Sequence, residues 1–576
     1  MYDRFPFVPS GSRDECLEGW SQIGQAIRSR AHSGTTVVVE CYPGVFLEEV
    51  HRELASALPD ANFVCTPDLF RPAAAIDRML EPLLGDDPVF GTMNSIEIED
   101  FFDPVRLAAA RERASNPSVS TVVLGPGASL LCPRPNFLVY ADMARWEIQM
   151  RQRRNEIGNL GSANFDERPS LKYKRAFFVD WRAADRLKAR LLPTIDLLLD
   201  TNVPNHPKAI SGEVFRRSLA AVVRRPFRVV PFFDPGPWGG HWMERVCGLP
   251  PSDAPNHAWC FDCVPEENSL LLGFGDLRVE IPSIDLVLAH PQELLGSNIH
   301  SRFGAEFPIR FDFLDTMGGG NLSLQVHPLT SYIREHFGMD YTQDESYYML
   351  DAGEDACVFL GLKENIDRRA MLHDLERAQE ADFDFPAEQY VNRFPARRHD
   401  HFLIPAGTIH CSGRNSMVLE ISATPYIFTF KLWDWGRLGL DGRPRPIHLQ
   451  HGTANIQWDR TTEWVRRSLI NRVEPVTAGK GWREERTGLH ALEFIETRRH
   501  WFTGSVPHDT AGTVHVLNLV EGEHAVVESP GGAFDPFAVN YAETFIVPAA
   551  VGPYTVRPCG SDREREYGTV RAQVRL

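Results

Sequence analysis

Four side chains that can bind a metal occur close together in the second half of the chain. Gln325 and His327 lie two residues apart, Glu345 follows them, and His410 ends the motif Ile-Pro-Ala-Gly-Thr-Ile-His. Two imidazoles, a carboxylate and an amide oxygen form a mixed nitrogen and oxygen ligand set, which suits Zn²⁺ and leaves room for water or substrate. This set of residues predicts an enzyme rather than a structural protein.

The elements that carry these residues must aim them at one point. Side chains two residues apart on a β-strand point to the same face, so a strand would let Gln325 and His327 address one ion. The Pro-Ala-Gly-Thr part of the later motif predicts a turn that leads into a strand and delivers His410. The spacing therefore predicts a site built on β-strands.

The segments around these residues closely resemble type I phosphomannose isomerases over roughly residues 226–576. The matching segments include the Gln-Val-His and Pro-Ala-Gly-Thr-Ile-His motifs and occupy residues 237–240, 291–296, 307–315, 322–328, 344–351, 404–410, 430–437 and 441–448. The resemblance implies a cupin fold and one Zn²⁺ per chain, held by Gln325, His327, Glu345 and His410. It also implies aldose–ketose isomerisation through an enediol, with a sugar or sugar phosphate as substrate.

The chemistry of such a reaction is consistent with a metal site. A divalent ion polarises the carbonyl and stabilises the enediolate, and a nearby acid or base moves the proton between adjacent carbons. Glu420 and Lys431 are the candidate catalytic residues in this sequence. A carboxylate of a strand that is paired elsewhere is the alternative interpretation of Glu420.

Three positions depart from the family pattern, and all three are basic in the family. This chain has Asp312 and Gln343 where family members place lysines, and Lys431 where they place an arginine, whereas the segment with Arg437 is retained. Asp312 reverses the charge, and a lysine lacks the bidentate fork that suits phosphate. These substrate-binding positions predict an altered substrate, either an unphosphorylated sugar or another sugar phosphate, unless compensation comes from Arg310, Arg397, Arg398 or Arg414.

The first 205 residues have the pattern of an α/β domain, most simply a doubly wound sheet. Apolar runs predict strands and amphipathic runs predict helices, namely strands at 35–40, 120–124, 137–140 and 175–179 and helices at 46–58 and 144–156. Residues 138–142, followed by Arg145, Arg151, Arg153 and Arg154, are similar to the lid region of P-loop kinases.

A phosphate-binding loop after the first of these strands would need a lysine and a hydroxyl. The loop at Gly44 lacks both, so we expect a degenerate kinase-like domain. The glycines at Gly125 and Gly127 resemble a phosphate-binding loop, with a simple turn as the alternative.

The composition changes near residues 202–207 to short, aromatic-rich strands separated by Gly and Pro, which is typical of all-β folds. A helical pattern at 365–381 interrupts them. Residues 546–554 repeat 403–410 in degenerate form without the histidine. We expect three domains: a kinase-like α/β domain at 1–205, a metal-binding cupin domain with a helical insertion at 206–480, and a metal-free cupin domain at 481–576.

Composition and charge exclude several classes of protein. The chain has 60 basic and 77 acidic residues and a formal charge of −17, which argues against nucleic-acid or anionic-membrane binding. No apolar run is long enough to span a bilayer, and no signal pattern opens the sequence, so we expect a cytoplasmic protein. The ten cysteines are scattered, which indicates reduced thiols, and the pair Cys260 and Cys263 is expected in a strand.

Two other functions remain open at this point. A metal-bearing carbohydrate sensor without catalysis is favoured by the changes at Asp312, Gln343 and Lys431. An iron-dependent oxygenase of the cupin type is a further possibility, although the glutamine ligand argues against it.

Overall fold

The chain forms two compact units, and both are interrupted in sequence. The computed structural model describes residues 1–114, 120–251, 253–379, 383–423, 426–488, 490–561 and 565–575. The α/β unit contains Phe7–Val222 and Glu267–Ala289, and the β unit contains Met1–Pro6, Val223–Glu266 and His290–Leu576. The boundary predicted at residue 205 therefore lies inside the α/β unit, which also takes in a segment far along the chain.

A seven-stranded sheet forms the centre of the α/β unit. Its five consecutive strands from Leu197–Asp200 to Asn62–Cys65 are parallel, and two antiparallel strands complete one side. The central strands are buried runs of valine and leucine, as expected where both faces are covered. In spatial order the strands are Cys16–Glu18, Lys208–Ser211, Leu197–Asp200, Phe137–Asp142, Thr36–Cys41, Thr121–Gly125 and Asn62–Cys65.

One helical segment of this unit differs from the sequence prediction. Residues 175–179, predicted as a strand, belong to helical structure, because Ala176–Asp180 is a π-helical turn between Pro169–Arg175 and Trp181–Leu191. These residues are completely buried, and a short buried apolar run has no periodicity that separates strand from helix. The other α-helices are Gly19–Arg28, Leu47–Ala57, Ala73–Leu84, Pro104–Ala114, Ala128–Leu131, Arg145–Arg153, Gly212–Val222 and Ile284–Ala289.

The late segment of the α/β unit is held by a small sheet and by a buried ion cluster. Strands Ser269–Phe274 and Leu277–Pro282 pair with each other, and the first of them pairs in parallel with Phe7–Gly11. Lys188 Nζ lies 2.8 Å from Asp142 Oδ1 and 2.7 Å from Asp285 Oδ1, and all three side chains are fully buried. Removing one partner of such a cluster leaves an uncompensated buried charge, so the cluster fixes this segment in place.

The first sandwich of the β unit consists of two antiparallel sheets. The six-stranded sheet runs in the order His401–Ile404, Glu345–Ala352, Ser416–Ser422, Arg310–Asp315, Trp259–Cys263 and Phe232–Asp234. The five-stranded sheet runs in the order Val391–Pro395, Cys357–Leu362, His410–Ser412, Leu324–Val326 and Phe430–Trp433. Cys260 and Cys263 lie on a strand as predicted, and all ten cysteines are free thiols.

Helices connect the strands of this sandwich. The predicted helical insertion at 365–381 is present as Arg368–Gln379, and residues 380–382 lie outside the described part of the chain. No helix among the described residues is long and apolar enough to cross a membrane. The remaining helices are Trp242–Val246, Pro291–Leu295, Ser297–Phe303, Thr330–Phe337, Ala387–Tyr390, Leu449–Asn455 and Thr462–Ser468.

A second sandwich follows near the end of the chain. Its six-stranded sheet has the order Glu474–Gly479, Trp482–Gly488, Ile495–Phe502, Tyr567–Val574, His515–Glu521 and Thr544–Val547, and its four-stranded sheet has the order Val506–Asp509, Pro553–Cys559, His524–Glu528 and Phe537–Asn540. Buried residues of both sheets form one hydrophobic core. In each sandwich the segment of the predicted repeat is a strand, a turn and a second strand.

Candidate metal centre

Strand pairing in the five-stranded sheet places three of the predicted residues in one row. Gln325 on Leu324–Val326 is opposite His410 on one side and opposite Lys431 on the other. Residues directly opposite one another on neighbouring strands project to the same face. Gln325, His410 and Lys431 therefore share the face that carries the site.

A second row lies on the six-stranded sheet. Asp312 is opposite Glu420, and Glu420 is opposite Tyr347 on the next strand. Glu345 precedes Tyr347 by two residues on the same strand, so it projects to the same face. The structure thus places Glu420 beside Asp312, on the face of the sheet that carries Glu345.

The two rows meet inside the sandwich, where the predicted ligands converge. His327 Nε2 lies 3.1 Å from Glu345 Oε2, and His410 Nε2 lies 2.8 Å from Glu345 Oε1. The Gln325 amide lies 3.1 Å from His410 Nε2. All four side chains are buried, and the oxygen of that amide reaches the same point if the amide is turned over.

Backbone carbonyls fix the orientation of both imidazoles. His327 Nδ1 donates to the carbonyl oxygen of Phe428 at 2.8 Å, and His410 Nδ1 donates to that of Thr408 at 2.9 Å. A histidine that donates through Nδ1 carries its lone pair on Nε2. Both lone pairs therefore point at the centre of the site, as in metal sites where an outer hydrogen bond sets the tautomer.

Gln343 makes two hydrogen bonds next to the same centre. Its Nε2 donates to Glu345 Oε2 at 3.0 Å, and its Oε1 accepts the backbone N–H of Phe428 at 2.8 Å. It therefore links the carboxylate to the residue whose carbonyl orients His327. The structure thus places Gln343 next to the candidate ligands.

The donor set fits a bound Zn²⁺. Among the described residues, His327, Glu345 and His410 form the group whose ligand atoms all lie within 4.8 Å of one another. Two imidazole lone pairs facing one buried carboxylate repel each other unless a cation lies between them. Two nitrogens and one or two oxygens are ligands that zinc accepts.

The six-stranded sheet carries further buried carboxyl groups beside the centre. Arg310 donates to Asp312 at 2.7 Å, and both are buried. Burial raises the pKa of Asp312 to about 6, with Arg310 acting against that rise. Burial, and then the charges of Glu345 and Asp312, raise the pKa of Glu420 well above its usual value.

A basic cluster lies beside the row that contains Gln325. Asp434 accepts hydrogen bonds from Ser323 at 3.0 Å, from Arg445 at 2.7 Å and from Arg437. Lys431 is half-buried, and its Nζ has no hydrogen-bond or ion-pair partner in the described ranges. Burial, and then the charge of Arg445, lower the pKa of Lys431 to about 7. Two arginines thus share one carboxylate, and Lys431 lies near them without a direct partner of its own in the described ranges.

Of the four arginines that could compensate for lost basic residues, Arg310 lies at the cavity wall. Arg398 pairs with Glu521, and Arg414 lies 3.5 Å from Asp355. Sequence reasoning missed Tyr347, Asp434 and Arg445 as members of the site. A signal was present for all three, because they lie in the segments 344–351, 430–437 and 441–448 that resemble the family.

In the α/β unit the turn at Gly125–Gly127 is closed by a side chain. Glu40 accepts the backbone N–H of Gly127 at 2.6 Å and that of Ser129 at 2.8 Å. Backbone donors of this kind bind phosphate when they are free. Here the Glu40 carboxylate, from the neighbouring strand, accepts these hydrogen bonds in place of a phosphate. A simple turn therefore accounts for these glycines.

The arginines of the predicted kinase-like lid are engaged inside the α/β unit. Arg145 is buried against Asp185, and Arg151 is buried and donates to the carbonyl oxygen of Gly44 at 3.0 Å. Both guanidinium groups therefore hold the fold together.

Comparison with known proteins gives two separate matches. A family described as a domain of unknown function (DUF8485) matches residues 19–224. A mannose-6-phosphate isomerase of Streptococcus mutans is 23% identical over 321 residues, which cover 54% of this chain and 89% of that protein. A probable mannose-6-phosphate isomerase of Bacillus subtilis, GmuF, is 25% identical over 332 residues, which cover 58% of this chain and 96% of that protein.

Solved structures give similar matches. The mannose 6-phosphate isomerase of Bacillus subtilis has a TM-score of 0.48 at 18% identity and covers 60% of this chain and 99% of that chain. A mannose 6-phosphate isomerase bound with zinc and yttrium has a TM-score of 0.45 at 14% identity, and the match covers 61% of this chain and 99% of that chain. The chain is thus similar, at low identity and over part of its length, to proteins named mannose-6-phosphate isomerases.

Proposed function

We propose that this protein is a metal-dependent aldose–ketose isomerase of the mannose-6-phosphate isomerase type, which acts on a hexose phosphate or a related sugar through an enediol. The observation that carries the proposal is the buried convergence of His327, His410 and Glu345, with the Gln325 amide 3.1 Å from His410. The similarity to named isomerases supports the reaction class.

His327, Glu345, His410 and Gln325 would hold one Zn²⁺. When bound there, such an ion acts as a Lewis acid on the sugar carbonyl and stabilises negative charge on the enediolate oxygens. The protein supplies fixed ligand orientation through the Phe428 and Thr408 carbonyls and a buried setting that strengthens each electrostatic contact.

Proton transfer is assigned to Glu420, and Lys431 takes that role only if it does not contact the substrate phosphate. Glu420 lies in a row with Asp312 and Tyr347 on one wall, and Lys431 lies opposite Gln325 on the other. A group that accepts a proton from one sugar carbon and returns it to the next must exchange protons near neutral pH. The raised pKa of Glu420 and the lowered pKa of Lys431 bring both groups toward that range.

The basic cluster of Lys431, Arg437 and Arg445 is proposed to receive the substrate phosphate. Asp434 neutralises only part of its charge, so the cluster keeps a net positive charge beside the metal row. Asp312 does not oppose this assignment, because Arg310 neutralises it. A phosphate bound here would stay apart from the carboxylates of the metal centre.

The finer fold assignments are also proposals. We infer that both sandwiches of the β unit are cupins, which the shared strand–turn–strand segment supports. We infer that the α/β unit is a kinase-like fold without phosphotransfer. Glu40 on the Gly127 and Ser129 amides and the engaged Arg145 and Arg151 support that loss.

A coupled isomerisation assay on the zinc-loaded full-length protein tests the proposed function. Free hexoses and hexose phosphates are offered in parallel, with a chelator-treated sample as reference. We expect turnover of hexose phosphates that the chelator abolishes. We also expect His410→Ala to lose both zinc and activity, because it removes one of two imidazole ligands.

His373→Ala is the matched control, since His373 is exposed on the helix Arg368–Gln379. It is expected to keep full zinc content and activity. Unchanged zinc in His410→Ala would refute the ligand assignment. If neither free hexoses nor hexose phosphates are turned over while zinc is bound, a metal-bearing carbohydrate sensor would replace the isomerase as the proposed function.

A further inference from the structure

A second cleft opens on the β unit. Its volume is about 590 Å³, and its lining includes one end of the helix Ser297–Phe303, parts of the helix Thr330–Phe337, residues 340–342, residues 491–494 and Arg575. The four candidate metal ligands are not among its lining residues. The cleft is therefore a site of its own, separate from the candidate metal centre.

Three arginines give the cleft a local positive charge in an acidic chain. The chain has a formal charge of −17, yet Arg302, Arg334 and Arg575 all line this one cleft. Arg302 and Arg334 are exposed, and among the described lining residues the one exposed acid is Asp340. Several guanidinium groups around one opening attract an anionic ligand.

Arg302 is held in place by aromatic rings. Its guanidinium carbon lies 4.9 Å from the ring centroid of Phe303 and 5.0 Å from that of Phe494. Within the described part of the chain, its N–H groups have no hydrogen-bond or ion-pair partner. A guanidinium that stacks on a ring keeps its edge free, and that edge fits two oxygens of a carboxylate or a phosphate.

The other two arginines also keep free donors. Arg334 Nη2 donates to the carbonyl oxygen of Asp340 at 3.2 Å, and its Nε lies 4.0 Å from the Asp340 carboxylate. Arg575 Nη2 donates to the carbonyl oxygens of Ala491 at 3.2 Å and of Glu493 at 2.7 Å. The Nη1 atoms of both arginines have no partner in the described ranges. An exposed ion pair as long as that of Arg334 contributes little, so both side chains remain able to bind an anion.

The buried acids of the cleft do not oppose an anion at its opening. Glu493 is 5% exposed, and burial raises its pKa well above the usual value, so it is uncharged at neutral pH. Asp344 is buried as well, and the backbone N–H of Ala406 donates to its Oδ1 at 2.8 Å. The exposed part of the lining therefore carries more positive than negative charge.

Hydroxyl groups line the rest of the cleft, and its phenylalanine rings are covered. Thr330, Tyr341 and Thr342 contribute the hydroxyl groups. Phe303 and Phe494 pack against each other with ring centroids 4.9 Å apart, and they are 9% and 8% exposed. Such a lining favours a polyhydroxy body over a flat base, because a base would need a ring face for stacking.

We propose that this cleft binds a monosaccharide phosphate, whose phosphate accepts hydrogen bonds from Arg302, Arg334 and Arg575 and whose hydroxyl groups face the threonines. A cleft of about 590 Å³ accommodates a ligand of this size. Phosphate suits the arginines because one guanidinium binds two of its oxygens at once. The inference does not rest on the proposed isomerase activity, because the metal ligands take no part in it.

Isothermal titration calorimetry at pH 7 tests this site on the full-length protein. Glucose 6-phosphate, glucose and AMP are compared, because the first two differ only in the phosphate and AMP carries the same group on a nucleoside. We expect glucose 6-phosphate to bind about tenfold or more tightly than glucose, since charge-assisted hydrogen bonds are added. Equal affinities for these two sugars would overturn the proposal, and tighter binding of AMP would overturn the assignment to a sugar phosphate.

Arg302→Gln places the binding site, because it removes the charge of the arginine that has no hydrogen-bond or ion-pair partner among the described residues. We expect it to reduce the affinity for glucose 6-phosphate about tenfold. Arg377→Gln is the matched control, since Arg377 is another exposed arginine, 4.0 Å from the ring centroid of Phe383 and outside the cleft. It should bind the ligand as the wild type does.

Arg445→Gln separates this cleft from the basic cluster beside the metal row. We expect this variant to keep binding glucose 6-phosphate in the cleft. Loss of binding in Arg445→Gln together with retention in Arg302→Gln would move the phosphate to the basic cluster and refute the cleft. A chelator-treated sample should bind as the zinc-loaded protein does, so failure of the isomerase proposal would leave this result standing.

Discussion

At the scale of residues, Glu345, Asp312 and Glu420 are three carboxyl groups in one buried cavity with different environments. Glu345 faces His327 and His410, Arg310 forms an ion pair with Asp312, and Glu420 has no ion-pair partner among the described residues. Neighbouring acids whose environments separate their pKa values take different chemical roles. This separation supports the proposed roles of Glu345 in ligand binding and of Glu420 in proton exchange.

Replacing Glu420 with glutamine is therefore expected to abolish most turnover while the metal stays bound. A general acid–base group contributes about 10²- to 10⁴-fold to rate, so we expect kcat to fall by about that factor. Zinc content is measured on the same samples. A variant that keeps wild-type kcat would remove Glu420 from the reaction, and one that loses zinc would make it a structural residue.

Lys431 gives a pH-dependent prediction. Its pKa of about 7 means that the ammonium is lost as the pH rises above neutrality. If it contacts a substrate phosphate, KM for a hexose phosphate should rise between pH 7 and pH 9. Lys431→Arg should remove that rise, because the guanidinium stays charged over this range. A wild-type KM that is flat with pH would place Lys431 outside the phosphate site.

At the scale of elements, a relay of hydrogen bonds connects the candidate ligands of the metal centre. Gln343 joins Glu345 to Phe428, and the Phe428 carbonyl orients His327. The two ligands come from different sheets, so this relay holds the sheets in register at the site. Outer contacts of this kind typically contribute about 10- to 100-fold to metal affinity.

Gln343→Leu is expected to weaken zinc binding by about that factor, because it removes both hydrogen bonds and leaves the Phe428 N–H buried without a partner. Competition with a chelator of known affinity measures the change. Gln389→Leu, at an exposed position of the helix Ala387–Tyr390, is the matched control and should bind zinc normally. Wild-type affinity in Gln343→Leu would show that the relay does not support the metal.

The convergence of the four candidate ligands could be predicted from the sequence because their motifs carry the geometry. Two-residue spacing placed Gln325 and His327 together, and the turn before His410 delivered the third group. The pairing of Asp312 with Arg310 follows from their two-residue spacing on a strand, but the burial of the pair could not be predicted, because both faces of that strand are covered. The helix through Phe177 was misread as a strand because complete burial hides its periodicity.

At the scale of the molecule, acid should destabilise the second sandwich. His500, His508 and His515 are buried there, beside Arg571 and Glu484. Burial lowers the pKa of His500 to about 4 and those of His508 and His515 well below their usual value. A histidine that is neutral in the fold takes up a proton on unfolding, so the fold loses stability as the pH falls below 6.5.

For His500 alone the loss amounts to about 3 kcal/mol between pH 6.5 and pH 4. We expect the free energy of unfolding, measured by urea titration and circular dichroism, to fall steeply from pH 7 to pH 5. His500→Gln should reduce this slope, whereas His373→Gln should leave it unchanged because that histidine is exposed. An identical slope in both variants would contradict the assignment of the acid sensitivity to His500.

Each unit is built from separated segments of the chain, which limits when it can fold during synthesis and which fragments can fold alone. The α/β unit needs strands Ser269–Phe274 and Leu277–Pro282 and the carboxylate of Asp285, so a growing polypeptide cannot complete it until residue 289 has left the ribosome. A fragment that stops at Val222 would leave Lys188 without one of its two acids and the strand Phe7–Gly11 without its neighbour. No single cut in the coding sequence therefore yields either unit whole, and both must be made as parts of one polypeptide.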